Sequence, residues 1–334
     1  MSARATIHDV ARRAGVSIAT VSRVLNAKGD VSDATRLRVR DAAASLGYTA
    51  DSVARALVSQ RTQLVGVLVG DNAGHRDLSL IFFGKVLTAI TRRLAQSGYD
   101  PLLLHDAAGG APAIEHRFDA AILIGVDEDD RRVLDLAARG LPLVGVDVRC
   151  AGARTAFVGS DHAGGVRLAL AHLHALGHRR IAHIAGALNT LAAAERLGAF
   201  RRETERLGID VPDAYVRFGD FSSASGYREA VALFALPEPP TAIVAASDLM
   251  ALAVLQAIWE TGRRPGRDIA VVGFDDIEAA ALAHPPLTTI RQSREDLGEL
   301  AAAHAIELLD NPGAPGRTTI VPVELIVRAS SSAH

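Results

Sequence analysis

Val16-Ser17-Ile18-Ala19-Thr20-Val21-Ser22-Arg23-Val24-Leu25-Asn26 decides the reading of this chain, because a helical period gives the stretch two faces of different purpose. On 3.6 residues per turn, Val21, Val24 and Leu25 share an apolar stripe. Ile18 and Ser22, and Ala19 and Arg23, stand four apart on the opposite side. One face packs and the other is available to read a surface. Ser17 is a good N-cap. Just upstream, Thr6-Ile7-His8-Asp9 has capping-box spacing and opens a first helix that runs to Ala14 and stops at Gly15. Two short helices joined through Gly15-Val16 spell a helix-turn-helix, whose second helix lies in a DNA major groove. The outward face lacks the Glu and Lys of an ordinary solvated face, which favours this reading over a generic helical pair.

Charge is divided along the chain in the same sense. Residues 1–61 hold ten Lys or Arg against five Asp or Glu, net +5, and the remainder holds 26 against 33, net −7. A basic head on an acidic body suits a protein that meets phosphate with one end only. At 334 residues and 49% hydrophobic, the chain predicts two or three domains with sizeable cores. No apolar run reaches the roughly 18 residues of a membrane span, and the start lacks a signal-peptide core, so a cytoplasmic protein with no membrane partner is expected. The single cysteine, Cys150, excludes an internal disulfide and a multi-thiolate metal site.

A third helix is expected over residues 32–46, stopped by Gly47, with Val39, Ala43 and Leu46 inward and Arg36, Arg38 and Arg40 either at phosphate or solvated. Asp51 caps a predicted helix of two turns through Leu57, too short to be stable alone. Polar Ser59-Gln60-Arg61-Thr62-Gln63 then separates head from body. From Leu64 the pattern becomes α/β. Strand-like runs at 64–69, 101–104, 120–124 and 143–148 alternate with helical stretches at 83–96 and 131–138. The rhythm restarts with helices at 166–176, 194–207, 222–234 and 249–261 and strands at 181–185, 215–218, 242–245 and 269–274. Two doubly wound parallel sheets in series create a cleft where strand carboxyl ends bind small molecules.

The combined motifs resemble the LacI/GalR family of bacterial repressors. In the head these are Thr6-Ile7-His8-Asp9-Val10-Ala11, Ala14-Gly15-Val16-Ser17, Ala19 through Asn26 and Leu46-Gly47-Tyr48. In the body they are Phe82-Phe83, His172-Leu173, Leu176 through Ile181, Gly273-Phe274-Asp275-Asp276, Pro286 through Ile290 and Arg328-Ala329-Ser330. The resemblance implies a helix-turn-helix domain at 1–49, a hinge helix and linker at 50–61, and a type I periplasmic-binding-protein-like body at 62–330. One subdomain would take about 62–160 and 291–320, the other about 161–290 and 321–330, with strands exchanged near 160, 290 and 321. It implies a homodimer without a tetramerising extension, operator DNA and a small effector as partners, no cofactor and no enzymatic activity.

Site residues follow from the resemblance position by position. At the DNA end Arg23 offers a fork to a guanine, worth about 1–3 kcal/mol of discrimination, and Ile18 and Ala19 meet thymine methyls. The bland alternative for Ile18 is burial against the first helix. Thr6, Ser17, Ser22, Asn26 and Thr35 position the head on phosphate, with Thr20, Tyr48 and Ala54 completing the DNA-facing set. The Ala19 and Thr-Val-Ser-Arg pattern implies a palindrome with a central CG step. Leu57 is a minor-groove wedge or simply core, and Ala50-Asp51 replaces the family's Pro-Asn. At the effector end the carried-over positions are Asp147, Arg196, Phe221 and Asp275, with Ser247 and Gln292 as weaker candidates that also suit helix capping. A buried arginine, carboxylates and an aromatic ring imply a sugar or similar polar metabolite.

Other constellations read as structure. His172 and His174 point to different sides of a helix, so they and His178 suit packing better than metal. Asp127-Glu128-Asp129-Asp130 suits a helix start. Gly66, Gly70 and Gly74 form no phosphate loop, which weighs against a nucleotide- or NAD-dependent enzyme. A DNA-binding protein that has lost its ligand is the other rival.

Overall fold

The computed structural model describes residues 5–25, 31–48, 61–70, 76–104, 118–126 and 130–332. The chain divides into two compact units, Met1–Gln63 and Leu64–His334.

In the first unit, α1 (Ile7–Ala14), α2 (Ile18–Leu25) and α3 (Asp33–Ser45) enclose Val10, Ala11, Ala14, Val21, Val24, Val39, Ala42 and Ala43. Local sequence sets each boundary. Thr6 Oγ1 accepts the Asp9 N–H at 3.4 Å while Asp9 Oδ2 accepts the Thr6 N–H at 3.0 Å, the reciprocal bonds of a capping box. Gly15 ends α1 with φ +65°, the left-handed turn that glycine adopts without steric cost. Ser17 Oγ then accepts the Thr20 N–H at 3.1 Å and starts α2.

The second unit holds two six-stranded sheets. The first is ordered β11-β5-β4-β3-β1-β2, from β1 (Leu64–Val69), β2 (Asp100–Leu104), β3 (Ala120–Ile124), β4 (Leu143–Val146), β5 (Thr155–Ser160) and β11 (Thr318–Val321). The second is ordered β12-β10-β9-β8-β6-β7, from β6 (Ile181–Ala185), β7 (Val216–Phe218), β8 (Ala242–Ala245), β9 (Ala270–Asp275), β10 (Thr288–Gln292) and β12 (Val323–Ile326). The ladders are parallel except β10 with β12. Only Pro322 separates β11 from β12, so the chain enters the second sheet without a crossover that could reverse its sense.

Each sheet is buried on both faces, which is why its central strands read as unbroken apolar runs. Val86, Ile90 and Leu94 of α4 (Arg76–Gln96) and Leu297, Ala301 and Leu308 of α11 (Arg294–Asp310) cover one face of the first sheet, and Val133 and Leu136 of α5 (Arg131–Ala138) the other. On the second sheet, α6 (His162–Ala175) and α7 (Leu191–Arg206) lie opposite α8 (Ser223–Phe234) and α9 (Asp248–Glu260). The chain passes between the sheets at Asp161, Ser293 and Pro322, so Arg291 and Gln292 still pair in the second sheet, slightly beyond the crossing expected near 290.

Three local expectations shift. Strand β4 stops at Val146 rather than residue 148, because Asp147, whose N–H still bonds the Val158 carbonyl at 2.9 Å, takes φ +53° and turns the chain out of the strand. Helix α4 starts at Arg76 rather than Phe83, since no Gly or Pro between those residues halts it. A short helix, α10 (Glu278–Leu282), follows β9. No described helix is long and apolar enough to cross a membrane.

Candidate functional site

Between the carboxyl ends of the two sheets of the second unit lies a cleft of about 880 Å³, measured out to its open mouth, a volume suited to a small metabolite. One side is Phe82 and Phe83 of α4, Gly125 and Val126 after β3, and Val146 and Asp147 at the end of β4. The other is Thr190, Ala192 and Arg196 around the start of α7, Asp220 and Phe221 after β7, Ser247 and Leu249 at the start of α9, Asp275 of β9 and Gln292 of β10. Asp147, Arg196, Phe221, Ser247, Asp275 and Gln292, six residues scattered over the sequence, thus share one cavity.

The left-handed turn that ends β4 swings Asp147 to the cleft. Its Oδ1 accepts the Ser160 N–H at 3.1 Å and His162 Nε2 at 3.0 Å. Burial pushes this carboxyl up, but His162 and Arg196 more than offset it and hold the group below the usual carboxylate range. Arg196 is only 4% exposed. It donates through Nε and Nη2 to His162 Nδ1 at 3.3 Å and through Nη1 to the Ala246 carbonyl, and its guanidinium lies 3.8 Å over the Phe274 ring. Burial lowers its affinity for a proton, with Asp275, Asp147 and Asp248 acting the other way.

Asp275 ends β9 with φ +129° and accepts Gln292 Nε2 at 2.7 Å. Burial raises it to about 6 against the pull of Arg196 and Arg294. Behind it, fully buried Asp248 accepts the Ile277 N–H at 2.9 Å and the Thr289 hydroxyl, and burial together with the charge of Asp275 pushes it up to about 7. Gln292 Oε1 is buried without a donor among the described residues, an acceptor that a ligand hydroxyl can satisfy. Phe221, at φ +69°, lays its ring against Gly186, where an added Cβ would come within 2.2 Å of it. Ser247 caps α9, its Oγ accepting the Met250 N–H at 3.3 Å, while also lining the cleft. The arrangement offers carboxylate and amide acceptors, one guanidinium donor and three phenyl rings, a chemistry for hydroxylated rings.

Sequence reasoning passed over His162, Asp248 and the pocket role of Phe82 and Phe83. No local pattern marks His162, which stands two residues beyond β5 and meets partners 15 and 34 positions away.

In the head, Ile18 (41% exposed), Ala19 and Arg23 form an open face on α2, with Thr20 and Ser22 half-buried beside it. The alternative of Ile18 buried against α1 does not describe this structure. Thr6 and Ser17 cap their helices, Thr35 Oγ1 accepts Ser32 Oγ at 3.0 Å, and Tyr48 packs half-buried on the core. Asn26, Ala54, Leu57 and the rest of 49–60 lie outside the described residues, as do 71–75 and 127–129. His172 Nε2 meets Ser331 Oγ at 2.8 Å and His178 Nδ1 meets Thr241 Oγ1 at 3.0 Å, separate partners that anchor one helix and its following turn.

Residues 6–51 match the bacterial regulatory proteins of the lacI family, and residues 170–331 match the periplasmic binding protein-like domain. The chain is 33% identical to the HTH-type transcriptional regulator CelR of Thermobifida fusca, covering 98% of both proteins. It is 34% identical to the lactose operon repressor of Escherichia coli K12, covering 98% of this chain and 91% of that one. A crystal structure of the lac repressor dimer bound to operator and the anti-inducer ONPF superimposes with a TM-score of 0.84 at 32% identity, over 98% of this chain and 99% of that one. A CelR–cellobiose complex superimposes at 0.73 and 30%, over 98% of this chain and all of that one. With a capped helix-turn-helix, a two-sheet body and relatives matched along nearly their whole length, the chain belongs to the LacI family of bacterial transcriptional regulators.

Proposed function

We propose that this protein is a cytoplasmic repressor that binds a palindromic operator as a homodimer, and that a neutral sugar in the cleft changes its operator affinity. The observation that carries the effector half is the lining of the cleft. Asp147, Asp220 and Asp275 stand against Arg196, so the lining is formally acidic and disfavours phosphorylated or carboxylated metabolites. Phe82, Phe83 and Phe221 suit the apolar faces of a pyranose, and Gln292 Oε1, which has no donor among the described residues, suits a ring hydroxyl. The relatives that bind ONPG and cellobiose support the same class. Nothing in the sequence supplies a phosphate loop or a nucleophile with its base, so no enzymatic activity is proposed.

For the DNA half, Arg23 on the open face of α2 is assigned to base reading. On a palindrome recovered by in vitro selection, Arg23→Ala is expected to lose about 1–3 kcal/mol of affinity while random DNA binding changes little. Fluorescence anisotropy on both DNAs checks this. Equal weakening on the two would reduce Arg23 to a phosphate contact.

A further inference from the structure

We propose that His162 is the positioning residue of the cleft, holding Asp147 as an acceptor and Arg196 as a donor at a set separation so that one hydroxylated ligand engages both. The inference rests on the effector reading above. His162 opens α6 immediately after the chain has left the first sheet, and it is 1% exposed. Its Nδ1 lies 3.3 Å from both Nε and Nη2 of Arg196. A guanidinium only donates, so Nδ1 carries the lone pair, the proton sits on Nε2, and Nε2 donates to Asp147 Oδ1 at 3.0 Å. The imidazole packs on Phe274, ring centroids 5.9 Å apart, and Arg196 stacks on that same ring.

A chain of carboxylate, imidazole and guanidinium therefore runs from the end of β4 to α7. Paired directly, Asp147 and Arg196 would consume each other's hydrogen-bonding capacity in a bidentate contact. With the ring between them, both still line the cavity, and Asp147 Oδ2 accepts nothing from the described residues. One group belongs to each sheet's side of the cleft, so a ligand touching both reports on how the two sides are disposed.

The test uses the full-length chain and cellobiose as probe. In histidine-15N-labelled protein without sugar, the imidazole signal that disappears in His162→Gln should be that of an Nε2–H tautomer. His162→Gln, whose amide also donates and accepts at once, should keep cellobiose affinity within about threefold of wild type. His162→Phe fills the site without either bond and should lose about 10- to 100-fold. An Nδ1–H tautomer, or a Phe variant that binds cellobiose like wild type, overturns the proposal. If wild type binds no cellobiose, the disaccharide form of the effector reading fails and the tautomer alone decides the role of His162, including where the Phe variant does not fold.

Discussion

Arg196→Met is expected to destabilise the body by about 3–5 kcal/mol near neutral pH and to remove the response to effector. The guanidinium is the charge that Asp275, Asp147 and Asp248 all face, and methionine fills its volume without replacing it. The carboxylates of buried Asp275 and Asp248 and half-buried Asp147 would be left to the more distant charge of Arg294 and to His162, Gln292, Thr289 and backbone donors. Their folded-state proton affinities would rise, so the variant should recover stability as pH falls from about 8 to about 5.5, where the native state takes up protons that the unfolded chain does not. Urea unfolding at the two pH values measures this. A loss below about 1 kcal/mol, or one independent of pH, would mean that hydrogen bonds rather than Arg196 hold the carboxylates.

The second large effect belongs to the carboxylate pair itself. Asp275 at about 6 and Asp248 at about 7 both lie above their ordinary value, so their contribution to stability falls as pH rises through the window from about 4 to about 7. His172, His178, His183 and His304 are all lowered by burial, and they act in the opposite sense below about 6.5, where the unfolded chain accepts protons more readily. A wild-type stability curve mixes the two. The difference between wild type and Asp248→Asn isolates the pair, because the amide can still accept from the Ile277 N–H and donate to Thr289. Relative to wild type, Asp248→Asn should gain stability as pH rises from about 5 to about 8, at up to about 1.4 kcal/mol per pH unit. A flat difference would show that Asp248 is not the protonated partner.

How much of this was legible in the sequence depended on the range of the interaction. The Thr6–Asp9 box, Gly15 and the Val21–Val24 stripe act within one or two turns, and the head could be read directly from them. Eight strands could be read as β-rich runs, whereas β5, β10, β11 and β12 entered only through the strand exchanges that the resemblance implies near 160, 290 and 321. Strand β12 is half-buried apart from exposed Glu324, and its pairing with β10 spans more than thirty positions. In the cleft, Asp147, Arg196, Phe221 and Asp275 came from resemblance. The positive φ of Asp147, Phe221 and Asp275, which aims them, is rare outside glycine, and although Asp is enriched there, residue type alone does not mark which Asp adopts it. His162 and Asp248 were missed because neither is defined by its neighbours in sequence. The one sits between Asp147 and Arg196, and the other finds Ile277 and Thr289 some thirty to forty residues away.

The central claim is that a sugar in the cleft controls the operator. The direct measurement is operator affinity of the full-length protein, with and without each member of a panel of neutral sugars headed by cellobiose, for wild type and Asp275→Ala. The account predicts that at least one sugar raises the unfolding temperature of wild type and changes its operator affinity by about 5- to 150-fold, and does neither in Asp275→Ala, whose affinity for operator alone stays near wild type. A sugar that binds wild type in calorimetry yet leaves operator affinity unchanged would contradict it, as would a response of equal size in Asp275→Ala.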